Sequence, residues 1–183
     1  DELLRQVAIK VLITRQLPEN EWLVEARALA ALDHPHIVPV YDIGRTDDGS
    51  VYVVSKFVAG TTLREQIADR RPTFRESVGI IAALAEALHH AHDRNLLHRD
   101  VKPENILIDA TTERFLIADF GIARSAGDDS PVISGANSVA GTPRYMAPEQ
   151  AAGDTVDGRA DLYALGGSLF YAATSRAPFD AST

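Results

Sequence analysis

The sequence predicts an α+β chain built as two unequal lobes, and three observations carry that reading. Short β-branched segments dominate the first 55 residues. Helical periodicity takes over beyond Gly60, above all in the long segment 74–95. Between them, residues 56–60 follow neither pattern and read as a connector. The expected organisation is a small lobe over 1–55, a hinge over 56–60 and a mainly helical lobe over 61–183. A ligand cleft belongs naturally at such a junction.

Each element has its own justification. QVAIKVLI (6–13) is short, β-branched and bounded, the signature of a strand. Residues 19–32 follow Pro18 and set Trp22, Leu23, Ala26, Leu29 and Leu32 at helical spacing, until DHPH (33–36) ends the run. IVPVYDIG (37–44) and SVYVVSKFV (50–58) read as a hairpin around RTDDG, with Pro39 marking the first as an edge or irregular strand. TTLREQIAD (61–69) reads as a short helix with a threonine cap. The helix over 74–95 is expected to turn Val78, Ile81, Leu84, Ala85, Leu88 and His92 to one face. ILID (106–109) and RFLIAD (114–119) are two short strands around a polar turn. Residues 121–145 lack periodicity, and a loop of that length in a compact domain is usually functional or disordered. The apolar segment 160–174 reads as a helix buried on several sides.

Composition bounds the function. A net charge of −8 over 183 residues argues against a non-specific nucleic-acid binder, whose footprint is basic. The absence of cysteine removes disulfides and thiolate metal sites and suits a reducing compartment. No apolar run approaches the length of a membrane span, and no signal peptide opens the sequence. The first residue is Asp, and a strand pattern starts almost at once, so the sequence reads as a piece of a longer chain.

The chemistry concentrates in LLHRDVKPENILID (96–109), where His98, Arg99, Asp100, Lys102, Glu104 and Asn105 crowd between two apolar ends. A carboxylate such as Asp100 can accept a proton or orient a hydroxyl. The amide oxygen of Asn105 can ligate Mg²⁺, which prefers hard oxygen donors. Lys102 suits a transferring phosphoryl group, and Pro103 stiffens the loop. A merely solvated turn is the bland alternative. Asp119, in DFG (119–121), ends an apolar strand that could hold a metal-binding carboxylate rigidly. Lys10 ends the apolar VAIK (7–10), and Glu25 lies on the helix beyond it, so a lysine–glutamate pair could position an anionic phosphate. HHAH (89–92) reads as a packed or solvated helix face, since only part of it can share one side.

Taken together and in this order, VAIK (7–10), Glu25, HRDVKPEN (98–105), DFG (119–121), GTPRYMAPEQ (141–150) and DLYALGG (161–167) resemble the eukaryotic-like protein kinase family, in particular its bacterial serine/threonine members. The resemblance covers essentially the whole sequence and implies a two-lobed, protein-kinase-like α+β fold. It implies that Lys10 contacts the α- and β-phosphates of ATP and pairs with Glu25. Asp100 would orient the substrate hydroxyl and take its proton, Lys102 would stabilise the γ-phosphoryl group, and Asn105 and Asp119 would hold Mg²⁺. Ala8 and Leu107 would sandwich the adenine, Lys56, Phe57 and Val58 would offer hinge backbone, and Ser55 would be a small gatekeeper. Leu29, Val40, His98 and Phe120 match the family's hydrophobic spine, anchored by Asp161.

Regulation is implied too. Arg99, joined by Arg124, would meet a phosphorylated activation loop whose candidate acceptors are Ser125, Ser130, Ser134 and Ser138. Thr142 would contact the catalytic aspartate and lysine in the substrate platform, and Glu149 would pair with an arginine further along the family's sequence. The glycine-rich phosphate loop that precedes VAIK in the family is absent, as are the helices that follow APFD (177–180). The expectation is therefore a fold truncated at both ends, which transfers phosphate weakly or not at all as it stands. The implied partners are ATP and a protein substrate with a serine or threonine acceptor, with no nucleic acid and no membrane segment, in the cytoplasm. A catalytically silent kinase-like binding or scaffold module is the alternative, and a small-molecule phosphotransferase is disfavoured by GTPRYMAPEQ.

Overall fold

A computed structural model of the chain describes residues 5–12, 26–120 and 143–179. Two three-stranded antiparallel sheets organise it. The first holds β1 (Val7–Leu12), β2 (Val40–Arg45) and β3 (Val51–Lys56) in the order β1-β3-β2. The β-branched run Val51, Val53, Val54 suits the central strand, where Val51 is fully buried. β2 takes an edge, as Pro39 predicts, and its register shifts between Val40 and Asp42. Ala8, Ser55 and Val40 form one rung across all three strands, and Lys10 stands two rungs further along, opposite Val53.

The second sheet runs β4 (Gly60–Thr62), β5 (Ile106–Asp109) and β6 (Phe115–Ile117), with β5 in the centre. β4 corrects the sequence reading, which gave 61 and 62 to the helix. Gly60 is required here, because a Cβ would fall 1.8 Å from the Ile108 carbonyl oxygen. Thr62 pairs in this strand and also caps α1 (Leu63–Asp69), in a reciprocal box with Glu65. Thr73 and Glu76 repeat the device at the start of α2 (Phe74–His92).

α2 ends before the predicted residue 95 and buries a different stripe. Ser77, Ile80, Leu84, Ala87, Leu88 and Ala91 face inward, while Val78 is exposed and Ile81 and Ala85 lie at the margin. The segment is apolar on two adjoining stripes, and packing against α4 (Gly158–Thr174) selects one of them. α4 itself is buried on one side only: Ala160, Asp161, Ala164, Leu165, Ser168 and Ala172 point inward, and Leu162, Tyr163 and Phe170 outward. That too corrects the expectation of burial on several sides. α3 (Pro148–Ala152) precedes α4.

Leu63, Leu84, Leu88 and Ile106 are fully buried and make the centre of the core, each worth about 1.5–3 kcal/mol of transfer free energy. Ile37 and Ile117 bridge in parallel, so the loop after the helical segment 26–30 is stitched to β6. The Val38 N–H donates to the Ile117 carbonyl at 2.9 Å, and the Ile117 N–H to the His36 carbonyl at 2.9 Å. Lys56, at the end of β3, forms an ion pair with Asp109 of β5 at 3.1 Å. These links hold the two sheets as facing walls of one cleft.

Candidate active site

The cleft has a volume of about 510 Å³. Its apolar end is lined by Ala8, Val40, Ser55, Phe57, Val58 and Leu107, and its polar end by Lys10, Asp100 and Asp119. Lys56 and Glu104 also border it. The structure thus brings Ala8, Lys10, Ser55, Lys56, Phe57, Val58 and Leu107 to one pocket. Val38, Val53 and Ile117 line it as well and were not singled out from the sequence. The strand period of two would have found two of them, since Val53 lies two residues from Ser55 and Ile117 two from Asp119.

At the polar end the side chains interlock. Lys102 Nζ lies 2.7 Å from Asp100 Oδ2. Asn105 Nδ2 donates to the same oxygen at 3.0 Å and to the Asp100 carbonyl at 2.8 Å. Across the cleft, Lys10 Nζ pairs with Asp119 Oδ2 at 3.0 Å. Glu25, the partner expected for Lys10, lies outside the described residues, as do Arg124, Ser125, Ser130, Ser134, Ser138 and Thr142. Glu149 is half-buried and makes no ion pair among the described residues. Glu104 forms an ion pair with Arg64 of α1.

Beneath these groups sits a buried scaffold. Asp161, 1% exposed, opens α4 but turns away from it. Its Oδ2 accepts the His98 N–H at 2.8 Å, its Oδ1 the Arg99 N–H at 2.7 Å, and His92 Nε2 lies 2.8 Å from Oδ2. Burial alone would raise the Asp161 carboxyl, but these hydrogen bonds outweigh it and hold the group below the ordinary carboxylate range. His92 thus has a structural task that HHAH did not disclose. Gly158 makes room for it, since a Cβ there would meet the imidazole at 2.7 Å.

His98 joins the segments that carry Asp100 and Asp119. Its Nε2 lies 2.8 Å from the Ala118 carbonyl, and its Nδ1 accepts the Asp100 N–H at 3.2 Å. A carbonyl can only accept and an N–H can only donate, so the imidazole is the neutral Nε2–H tautomer. Its ring packs 4.6 Å from that of Phe120. Leu29 and Phe120 are buried in the same cluster and Val40 packs against it, so the expected spine residues share one core. Arg99 (φ 64°) and Asp119 (φ 63°) occupy the left-handed region, at a cost of about 1–2 kcal/mol each for a side-chain-bearing residue. The surrounding hydrogen bonds hold both in place and aim Asp100 and Asp119 into the cleft.

Burial holds His98 below its ordinary value of 6.5, despite the opposing pull of Asp161, the Ala118 carbonyl, Asp100 and Asp119. His34 is shifted the same way, by burial and by its neighbours His90 and His36. Below pH 6.5 the unfolded chain therefore binds protons that the folded chain refuses, and stability falls as pH drops from 6.5 toward the folded values. The urea midpoint is expected to be lower at pH 5.5 than at pH 7.5; a flat or rising midpoint contradicts the neutral buried His98.

Comparison with known proteins fits this geometry. The protein kinase domain family matches residues 2–183. The serine/threonine-protein kinase PrkC of Bacillus subtilis is 41% identical over 181 residues, which cover 96% of this chain and 27% of that protein. The chain therefore spans about a quarter of that relative's length. The crystal structure of the Mycobacterium tuberculosis PknI kinase domain superposes with a TM-score of 0.76 at 35% identity, covering 97% of this chain and 67% of that one. The structure of Rad53 1-466 in complex with AMP-PNP gives the same TM-score at 26% identity, covering 97% and 43%. A match over nearly every residue and a shared fold, added to a cleft whose motif residues converge, lead to one conclusion: this chain belongs to the protein kinase domain family.

Proposed function

We propose that the chain is the catalytic core of a serine/threonine protein kinase, transferring the γ-phosphoryl group of ATP to a serine or threonine hydroxyl of a protein substrate. The observation that carries this is the convergence of Lys10, Asp100 and Asp119 at the polar end of one cleft whose other end is apolar, with Lys102 and Asn105 both bonded to Asp100. Residues 1–55 and 61–183 act as the two lobes, with 56–60 as the hinge. Relatives with this domain are named serine/threonine kinases, and one structural neighbour holds an ATP analogue.

The donor set fits Mg²⁺. Among the described residues, no group of three or more His, Cys, Asp or Glu could hold a metal by itself. Mg²⁺ needs only one or two protein oxygens when phosphates and water complete its shell. Asp119 offers a carboxylate, and Asn105 has its amide nitrogen committed to Asp100, which leaves its oxygen for the cation. When bound, the ion neutralises phosphate charge. The chain's own residues do the rest. Lys10 draws the phosphates to the polar end. Asp100 orients the acceptor hydroxyl and takes its proton. Lys102, held beside it, meets the charge that develops on the transferred group, so positioning and electrostatics supply most of the rate. Arg99, with Arg124, would couple the site to phosphorylation within 125–138, which in sequence separates Asp119 from the substrate platform of Thr142 and Glu149. Among the described residues no helix is long and apolar enough to cross a membrane, and we assign the domain to the cytoplasm.

Nucleotide binding tests the reading. Titration calorimetry with Mg·ATP is expected to show Lys10→Met weakened about 10- to 100-fold, the worth of one charge-assisted hydrogen bond, and Asp119→Ala stripped of its Mg²⁺ dependence. Wild-type affinity and Mg²⁺ dependence in both variants would overturn it.

A further inference from the structure

We infer that Gln150 is a positioning residue for the catalytic base, an inference that rests on the proposed kinase reading. Gln150 lies in α3, 51 residues beyond Arg99 in sequence. Its Oε1 accepts the Ala147 N–H at 3.2 Å, and its Nε2 donates to the Arg99 carbonyl at 3.1 Å. The partners fix the orientation of this amide, since the N–H can only donate and the carbonyl can only accept.

The bond to Arg99 falls on the peptide unit that carries Asp100. The carbonyl of that unit is held by Gln150, and its N–H, which belongs to Asp100, is held by His98 Nδ1 at 3.2 Å. One residue earlier, the Arg99 N–H is held by Asp161 at 2.7 Å. Arg99 sits at φ 64°, a conformation that relaxes unless its neighbours restrain it. Three side chains from three parts of the chain therefore pin two successive peptide units. Asp161 and His98 do so from the buried side. Gln150 does so from α3, at the end of the segment expected to seat the substrate. The placement of Asp100 is thereby tied to the seating of that segment. Released from Gln150, the peptide unit can rotate, and Asp100 swings relative to Lys102 and Asn105. A displacement of that kind costs rate without weakening nucleotide binding.

Gln150→Glu isolates the effect, because it keeps an oxygen for the Ala147 N–H and replaces the donor facing Arg99 by a second oxygen. Gln150→Leu removes both bonds. The full-length protein serves for both readouts, phosphate transfer to a serine-containing protein and amide exchange across residues 98–105. For Gln150→Glu the expected result is a fall in kcat of about tenfold to a hundredfold, KM for ATP within about twofold, and faster exchange across 98–105. Gln150→Leu is expected to match it in both and to lose thermal stability as well, through the lost cap. Unchanged exchange across 98–105 overturns the inference, and so does a wild-type kcat in both variants. If the wild-type protein transfers no phosphate, the kinase reading fails, and the exchange arm still decides whether Gln150 restrains the loop.

Discussion

Asp161→Ala is expected to destabilise the fold more than any other single substitution in the site, by about 3–5 kcal/mol. The carboxylate meets the His98 N–H, the Arg99 N–H and the His92 ring at 2.7–2.8 Å, all around a group that is 1% exposed. Each buried polar group left without a partner costs about 1–3 kcal/mol, against a typical total stability of about 5–15 kcal/mol. Arg99 would also lose the bond that restrains its left-handed backbone, so the protein that remains folded should lose transfer activity. Asp161→Asn should recover only part of the loss, because its NH₂ group must face a donor. Since Asp161 is held below the ordinary carboxylate range, the folded chain stays ionised where the unfolded chain takes up a proton. Its contribution is complete above pH 3.8, the ordinary value, and disappears as pH falls through the folded value. Urea unfolding at pH 7 measures the effect, and a change below about 1 kcal/mol, no more than one ordinary hydrogen bond, contradicts the role assigned to Asp161.

Asp100→Asn is expected to have the largest effect on catalysis with little effect on folding. The substitution keeps an oxygen for Lys102 and Asn105, which lie 2.7 and 3.0 Å from Oδ2. It removes the capacity to take a proton. General-base catalysis contributes about 10²- to 10⁴-fold, and kcat should fall by that factor while KM for ATP stays within about twofold. The Asp100 side chain is 32% exposed and lies in a turn, so the urea midpoint should hardly move. Equal losses in kcat and stability would show instead that Asp100 acts as a structural anchor.

Most of the site was legible because its chemistry is local. Asp100, Lys102 and Asn105 lie in one short turn, and their side chains meet there. Ala8, Ser55 and Val40 share a rung that strand patterns alone do not disclose, and only the family resemblance points to them. What escaped the sequence depends on distant partners. β4 is three residues long and exists only because β5, some 45 residues on, offers it a ladder. The buried face of α2 could not be read because Ile80 and Ile81 are equally apolar, and only packing against α4 and β6 distinguishes them. The sequence puts His92 on a packed or solvated helix face but names no partner for it until α4 brings Asp161, and it gives Gln150 no task until Arg99 lies within reach. Lys10 pairs with Asp119, a contact between two motifs whose meeting no spacing along the chain specifies.

The central claim is that this cleft transfers phosphate to protein hydroxyls, and one measurement tests it most directly. The full-length protein and its Asp100→Asn variant are incubated with γ-labelled ATP, Mg²⁺ and a serine- and threonine-containing protein, and the product is analysed by mass spectrometry. The account predicts label on serine or threonine with the wild-type protein, dependent on Mg²⁺ and reduced at least a hundredfold by Asp100→Asn. Bound nucleotide with no transfer, or transfer unchanged by Asp100→Asn, would contradict it.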